Sequence, residues 1–142
     1  MMRYDVSAVI AASPETTWSI LADAPGYARW DNGVVRVEGT IAPGEKIKLV
    51  SEINPKRAFA IKVTGYDPGR SMQWTGGMPL GLFKGVRTMT LTAQGDGHTA
   101  FEMQEVFSSP MLGVMSRSMP DLGPSFEQFA AGCKARAESH PG

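Results

Sequence analysis

The most constraining feature of this sequence is a run of six β-type segments separated by very short turns. Most of the segments alternate apolar and polar residues, and turn-forming sequences lie between them: Ala42–Glu45, Asn54–Arg57, Tyr66–Arg70 and Gly95–Gly97. Parallel strands need long crossover connections, whereas antiparallel strands can be joined by a few residues. The pattern therefore predicts an antiparallel meander with these strands: Val34–Glu38, Lys46–Asn54, Phe59–Tyr66, Ser71–Thr75, Phe83–Thr92 and Thr99–Phe107.

The residues before this meander predict a first strand followed by a pair of short helices. Apolar and polar residues alternate over Val6–Ile10, which indicates the strand. Ser13 offers a hydroxyl cap, Pro14 suits the first helical position, and Glu15 favours the positive end of a helix. Asp23–Gly26 contains a proline and a glycine, and it ends this first helix.

The C-terminal part of the chain predicts a longer helix that covers the sheet. Pro120 and Pro124 interrupt the helical spacing of its apolar residues, so we expect a short turn, a break and then a helix over about 121–138. Its apolar residues recur at helical spacing: Met115, Met119, Leu122, Phe126, Phe129, Ala130 and Cys133.

Alternation within the strands assigns one covered face and one wet face to the sheet. The residues predicted on the covered face are Ile47, Leu49, Ile53, Phe59, Ile61, Val63, Met72, Trp74, Phe101, Met103 and Phe107. The residues predicted on the wet face are Lys48, Glu52, Lys62, Thr64, Glu102 and Gln104.

Composition narrows the class of protein. The 142 residues are predicted to form a single domain, 1–142, and the 14 basic and 14 acidic side chains leave no net charge. This balance argues against a general nucleic-acid binder. One cysteine and two histidines argue against a disulfide or a metal centre, so we expect no metal and no cofactor. No apolar run reaches the ~20 residues of a membrane span. We expect a cytoplasmic monomer or homodimer.

The register of the last hairpin can be predicted from its turn. A three-residue loop over Gly95–Gly97 pairs Gln94 with His98. Leu91 then faces Phe101, Met89 faces Met103, and Arg87 faces Glu105 on the covered face. A two-residue loop would instead bury threonines and expose Leu91 and Met89, so hydrophobic matching favours the longer loop.

Taken in order, these segments resemble the SRPBCC or START-like (helix-grip) superfamily, in its polyketide cyclase/dehydratase-like branch. The resemblance covers nearly the whole chain. It depends on "VSAVIAASPETTWSILADAPGYARWD", the stretch from Trp74 to Gly85, "FEMQEVFSSPMLG" and "FEQFAAGCKARAE". It implies an α+β fold in which a curved seven-stranded antiparallel sheet wraps around the long C-terminal helix. Two short helices between strands 1 and 2 would close one end of an internal cavity, with Trp18 anchoring the first helix and Trp30 lining that end.

Within this framework we expect the cavity to bind a small hydrophobic molecule. The predicted lining is Trp30, Trp74, Phe83, Arg87, Met89, Phe101, Met103, Glu105, Phe107, Met115, Met119, Leu122 and Phe126. The apolar but glycine-containing stretch Gly76–Leu82 cannot form a regular strand in this interpretation. Its residues Gly77, Met78, Pro79 and Leu80 are predicted to form a gate at the cavity mouth, with a simple packed loop as the alternative.

Two interpretations of the Arg87–Glu105 pair stay open: a polar anchor for a ligand, or a structural salt bridge that closes the sheet.

Two further hypotheses concern the function of the protein. One is a polyketide cyclase or dehydratase that moves protons through Glu105, Asp31 or Tyr66, although an arginine neighbour favours the charged form of Glu105 and weakens it as a proton carrier. The other is a protein-interaction domain like the co-chaperone branch of the superfamily. The sequence contains no paired nucleophile and base.

Overall fold

The structure, a computed structural model, describes residues 2–78, 83–108 and 122–139; for Met78 and Phe83 it describes the backbone only. Seven strands form one antiparallel sheet in the order β1-β7-β6-β5-β4-β3-β2. The strands are β1 Met2–Ile10, β2 Val34–Glu38, β3 Lys46–Ser51, β4 Asn54–Asp67, β5 Ser71–Met78, β6 Phe83–Ala93 and β7 Thr99–Ser108. The helices are α1 Pro14–Leu21, a short 3-10 helix Pro25–Arg29, and α2 Gly123–Ser139.

The predicted helix pair between the first two strands is confirmed. The Ser13 hydroxyl accepts a hydrogen bond from the Thr16 backbone N–H at 3.1 Å, and Pro14 occupies the first turn of α1. Trp18 is buried and meets the ring of Tyr66 edge-to-face at 5.3 Å. Helix α1 is therefore fixed to the sheet through an aromatic contact, as predicted for Trp18.

The long C-terminal helix is also confirmed, with both ends within two residues of the prediction. Its buried side chains, Phe126, Phe129, Ala130, Cys133 and Ala137, belong to the same hydrophobic core as the inner face of the sheet. We define the inner face as the sheet face that carries Val6, Met72, Met89, Phe101 and Met103, all of them buried. Neither helix within the described ranges has the length and apolar content needed to cross a membrane.

The hairpin between β6 and β7 has the predicted register. The Gln94 N–H donates to the His98 carbonyl at 2.9 Å, and Gly97 adopts a left-handed φ of 74°. Leu91 lies opposite Phe101, Met89 opposite Met103, and Arg87 opposite Glu105. Loop geometry and hydrophobic matching were sufficient to place these side chains.

The predicted turn at Asn54–Arg57 is wrong, because β4 already begins at Asn54 and the turn lies at Glu52 and Ile53. A register shift between Val50 and Ser51 explains the difference. Ser51 pairs with Asn54 and Val50 pairs with Ala58, which leaves Pro55 outside the β3–β4 ladder. A proline there loses no ladder hydrogen bond. Ile53 is consequently 45% exposed, and its predicted place on the covered face is wrong.

The prediction that Gly76–Leu82 contains no regular strand is wrong for its first three residues. Strand β5 continues to Met78, and Gly76 pairs with Gly85 while Gly77 pairs with Lys84. A Cβ at Gly76 would lie 3.1 Å from the Ala60 carbonyl oxygen, so the missing side chain permits the close packing of this strand. Pro79 and Leu80 of the predicted gate lie outside the described part of the chain, as does the side chain of Met78.

One prediction concerns the packing of α2 against the loop that follows the 3-10 helix. A Cβ at Gly132 would overlap the Asp31 carbonyl oxygen, which is backbone and cannot rotate away. Replacing a mid-helix glycine by alanine ordinarily stabilises a protein by up to ~1 kcal/mol. We expect Gly132→Ala instead to destabilise by ~1–3 kcal/mol in urea denaturation, because the helix must shift.

The exposed neighbour Ala131 provides the matched control. Ala131→Gly is expected to lose only the ~1 kcal/mol of helix propensity. A stabilising effect of Gly132→Ala would contradict the described contact between α2 and Asp31.

Candidate functional site

The candidate site is built on one row of residues that crosses five neighbouring strands on the inner face. Tyr4 of β1 lies opposite Glu105 of β7, and Glu105 lies opposite Arg87 of β6. Arg87 in turn lies opposite Trp74 of β5, which lies opposite Val63 of β4. Side chains directly opposite each other in an antiparallel sheet are close enough to interact. The row thus brings two charged groups between two aromatic rings.

Arg87 and Glu105 form an ion pair in the centre of this row. The Arg87 Nε donates to Glu105 Oε1 at 2.6 Å, and the two side chains retain 14% and 13% of their exposure. A pair this buried needs mutual satisfaction, since an uncompensated charge away from water is costly. Its residual exposure also leaves both groups within reach of a small molecule.

Aromatic side chains from α2 cover the guanidinium of Arg87. Its Cζ lies 5.1 Å from the centre of the Phe126 ring and 5.3 Å from that of Phe129. These distances are within the range of cation–π attraction. Phe126 also meets Tyr4 edge-to-face at 4.9 Å. The C-terminal helix and the sheet are therefore joined at the ion pair itself.

A second set of aromatic side chains extends from Phe129 toward the 3-10 helix. We call these side chains the aromatic group: Tyr27, Trp30, Trp74 and Phe129. Trp30 packs against Phe129 at 5.3 Å, and Tyr27 packs against both Trp30 at 5.3 Å and Trp74 at 5.8 Å. The Tyr27 hydroxyl donates to the Leu21 carbonyl at 2.7 Å. Burial raises the pKa of Tyr27 well above its usual value, so this phenol stays neutral.

The segment that carries Trp30 is held against α2. The Gln128 side-chain amide donates to Asp31 Oδ1 at 2.5 Å, and Gly132 allows the backbone of Asp31 to approach the helix. Asn32 is buried, donates to the Tyr27 carbonyl at 2.8 Å and accepts from the Val34 N–H at 2.7 Å. These contacts give Trp30 a defined position at one end of the aromatic group.

Most of the residues predicted to line a cavity gather on this side of the sheet. Trp74, Met89, Phe101, Met103, Phe107 and Phe126 are all buried in one cluster, with Trp30 and Leu122 packed against it. Met115, Met119, Pro79 and Leu80 fall outside the described residues, as does the side chain of Phe83. That the gathered residues contact a ligand stays a prediction.

Sequence reasoning missed three aromatic members of the site: Tyr4, Tyr27 and Phe129. Tyr4 lies two residues before Val6, and extending the alternation of β1 backward would have placed it on the inner face. Phe129 was predicted on the apolar side of the helix, and it lies one helical turn from Phe126. Tyr27 had no comparable signal, because a 3-10 helix is too short to show a periodic pattern.

Two of the candidate acid–base residues lie elsewhere. Asp31 is exposed and accepts from Gln128, and Tyr66 packs against Trp18. Cys133 is buried, and burial raises the pKa of its thiol to about 12, which makes it a poor nucleophile. Residues 2–78, 83–108 and 122–139 hold no cluster of three His, Cys, Asp or Glu side chains arranged for a metal ion.

An open groove of about 490 Å³ lies mainly on the outer face of the sheet, away from the Arg87–Glu105 pair. Arg3 and Asp5 line it and pair with each other at 2.8 Å, and their side chains are 60% and 54% exposed. Thr88, Glu102 and Gln104 add further polar surface. Ligand sites for apolar molecules are concave and mostly apolar, so we place the candidate site on the inner face.

Comparison with known families agrees with this architecture. The family model for polyketide cyclases, dehydrases and lipid transport matches residues 1–138. The chain belongs to this family. Its fold is that of the START-like, helix-grip proteins: a curved seven-stranded antiparallel sheet around a C-terminal helix. A comparison with curated proteins gives no match.

Solved structures share the polyketide cyclase family fold at low sequence identity. A START superfamily protein from Mycobacterium smegmatis is 19% identical, with a TM-score of 0.72 over 96% of this chain and 97% of that one. The Zhui aromatase/cyclase from Streptomyces sp. R1128 is 14% identical, with a TM-score of 0.75 over 96% and 93%. A hypothetical protein from Helicobacter pylori is 9% identical, with a TM-score of 0.79 over 96% and 88%. At these identities the likeness concerns the fold.

The ion pair yields a prediction about stability. Glu105→Gln keeps the shape of the side chain but leaves the Arg87 guanidinium without its counter-charge. Breaking a buried ion pair costs ~3–5 kcal/mol. Because this pair keeps some contact with water, we expect the free energy of unfolding to fall by about 3 kcal/mol, the lower end of that range. Urea denaturation of the variant and the wild type measures the difference.

The double variant Arg87→Met/Glu105→Leu is the control for this measurement. Apolar side chains of similar size avoid the uncompensated charge, so we expect most of the lost stability to return. A double variant as unstable as Glu105→Gln would indicate that the pair matters through packing rather than through charge.

A further prediction concerns the thiol of Cys133. With its pKa raised to about 12, the thiol holds almost no thiolate at pH 8. We expect Ellman's reagent to leave the native protein unlabelled at that pH and to detect one thiol after denaturation. Rapid labelling of the native protein would show that the helix does not bury Cys133 as described.

Proposed function

We propose that this protein binds a small hydrophobic molecule between the inner face of the sheet and α2. The observation that carries the proposal is the Arg87–Glu105 ion pair, which is partly accessible and surrounded by aromatic rings. Small-molecule sites are typically apolar surfaces with a few fixed polar groups. The family also includes lipid-transport proteins by its description, which supports the proposal.

The chemistry of the pair favours binding over proton transfer. Glu105 already accepts a short hydrogen bond from Arg87, and an arginine cannot act as a base because its guanidinium stays protonated. The pair is electrically neutral as a unit. A neutral molecule with a polar group could bind beside it without adding an uncompensated charge.

The alternative is a polyketide cyclase or dehydratase, and two findings favour it as the second candidate. The family description includes such enzymes, and one structure with the same fold is an aromatase/cyclase. A cavity lined by aromatic rings could fold a flexible substrate, with Glu105 as an acid–base candidate among the described residues of the site. This function would require Glu105 to leave Arg87 during the reaction.

Native mass spectrometry of freshly purified protein tests the proposed function. We expect a second charge-state series whose added mass corresponds to a small apolar molecule, and we expect organic extraction to remove it. The same extract analysed separately gives the identity of the molecule. If the protein carries no added mass and takes up none of a panel of apolar probes, the proposal is contradicted.

The packing of Phe126 gives a second prediction. Phe126→Ala in a fully packed core would cost ~3–5 kcal/mol, whereas the loss is smaller where the ring already borders open space. Because we propose such a space beside the ring, we expect a loss below ~3 kcal/mol in urea denaturation, together with altered affinity for apolar probes. Phe101, which is fully buried, supplies the comparison, and Phe101→Ala is expected to show the full cost. Equal losses would argue against a space beside Phe126.

A further inference from the structure

Two buried polar atoms in the aromatic group have no hydrogen-bond partner in the part of the chain that the structure describes. The indole Nε1 of Trp30 and that of Trp74 are both buried, and neither finds an acceptor among the described residues. Trp74 as a whole is only 2% exposed. Buried polar groups in proteins are almost always paired, and an exception calls for an explanation.

Both unpaired atoms belong to the candidate site. Trp74 lies directly opposite Arg87 in the β5–β6 ladder, and Trp30 packs against Phe129, whose ring faces the same guanidinium. The ring of Tyr27 contacts both indoles. The two N–H groups are therefore features of one aromatic environment, close to the ion pair.

The balance of donors and acceptors in this environment is uneven. An indole N–H can only donate, and a guanidinium has five N–H donors, of which the bond to Glu105 uses the one on Nε. Tyr27 directs its own hydroxyl to the Leu21 carbonyl, so its hydrogen is already used. The Glu105 carboxylate offers acceptor oxygens of its own, but neither indole N–H reaches them. A partner for the two indole N–H groups must therefore bring acceptor oxygens.

We propose that Trp30 and Trp74 donate hydrogen bonds to acceptor oxygens of the bound molecule, so that the site selects flat apolar compounds with carbonyl-type oxygens. The proposal rests on the proposed function and specifies its ligand class. Flat conjugated molecules fit because aromatic walls from Tyr27, Trp30, Trp74 and Phe129 favour stacking and edge contacts. A ligand that presents an ammonium group has no acceptor to offer there, so it would leave both indole N–H groups unpaired.

A matched pair of probes tests this selection: 9-fluorenone and fluorene. The two molecules have nearly the same flat shape, and only fluorenone has a carbonyl oxygen. Isothermal titration calorimetry of the wild-type protein is expected to show fluorenone binding about tenfold more tightly, the size of one or two gained hydrogen bonds. Hydrophobicity alone would favour fluorene, so tighter binding of fluorenone would have to come from its carbonyl oxygen.

Variants that keep an aromatic ring at each position but remove the N–H donor identify the atoms responsible. In Trp30→Phe/Trp74→Phe the preference for fluorenone should fall to about twofold or less. Trp18→Phe is the matched control, because Trp18 packs against Tyr66 rather than in the aromatic group, and it should keep the tenfold preference. The infrared carbonyl band of fluorenone bound to the wild type should lie below its position in cyclohexane, which requires no variant.

The possible outcomes separate this proposal from the proposed function. Equal affinity for fluorene and fluorenone, or an unshifted carbonyl band, overturns the proposal about the indoles and leaves an apolar binding site in place. A preference for fluorenone that survives the loss of both indole N–H groups also overturns it. If the folded wild-type protein binds neither compound, both proposals fail.

Discussion

The ion pair between Arg87 and Glu105 is the interaction on which the arrangement of the site depends. It lies at the middle of a five-strand row and directly beneath Phe126 and Phe129 of α2. A charged pair in this position costs desolvation energy that a pair of apolar residues would avoid. The aromatic rings recover part of that cost through cation–π attraction, and they also position the helix on the sheet. The location of the pair makes a purely structural role an expensive solution, which supports a role in recognition.

Glycine shapes the rest of the site by removing side chains where surfaces approach closely. Gly85 lies beside Arg87 on the inner face, and a Cβ there would come within 3.1 Å of the Phe107 ring. Its partner across the ladder is Gly76, so the row next to the ion pair has a gap in the layer of side chains. Gly132 has the same effect on α2, where it admits the backbone of Asp31 and so fixes the end that carries Trp30. Close packing at these points surrounds the aromatic group.

The fold could be predicted from the sequence because its determinants are local. Short turns require antiparallel pairing, alternation assigns faces, and the glycine turn at Gly95–Gly97 determines which residues of β6 and β7 meet. The predicted turn at Asn54–Arg57 was wrong because the local signal of Pro55 was misleading. The register shift between β3 and β4 leaves this proline outside the ladder, so the strand can contain it. For the candidate site, the Arg87–Glu105 pair followed from register alone. Tyr27 and the two unpaired indoles did not, because contacts between a 3-10 helix, the sheet and α2 have no periodic signature in the sequence.

Whether the ligand site lies at the ion pair can be measured by following the Arg87 side chain by NMR, using the ¹⁵N-labelled Nε–H groups. We expect a slowly exchanging Arg87 Nε–H resonance that shifts when an apolar carbonyl compound saturates the protein. Arg36 is the internal control, because its Nε pairs with Glu38 at 3.1 Å on the exposed surface, where its side chain is 54% exposed. Its resonance should exchange quickly and stay in place. An Arg87 resonance that exchanges as fast as that of Arg36, or that does not respond to a bound compound, would contradict the assignment of the ligand site to this ion pair.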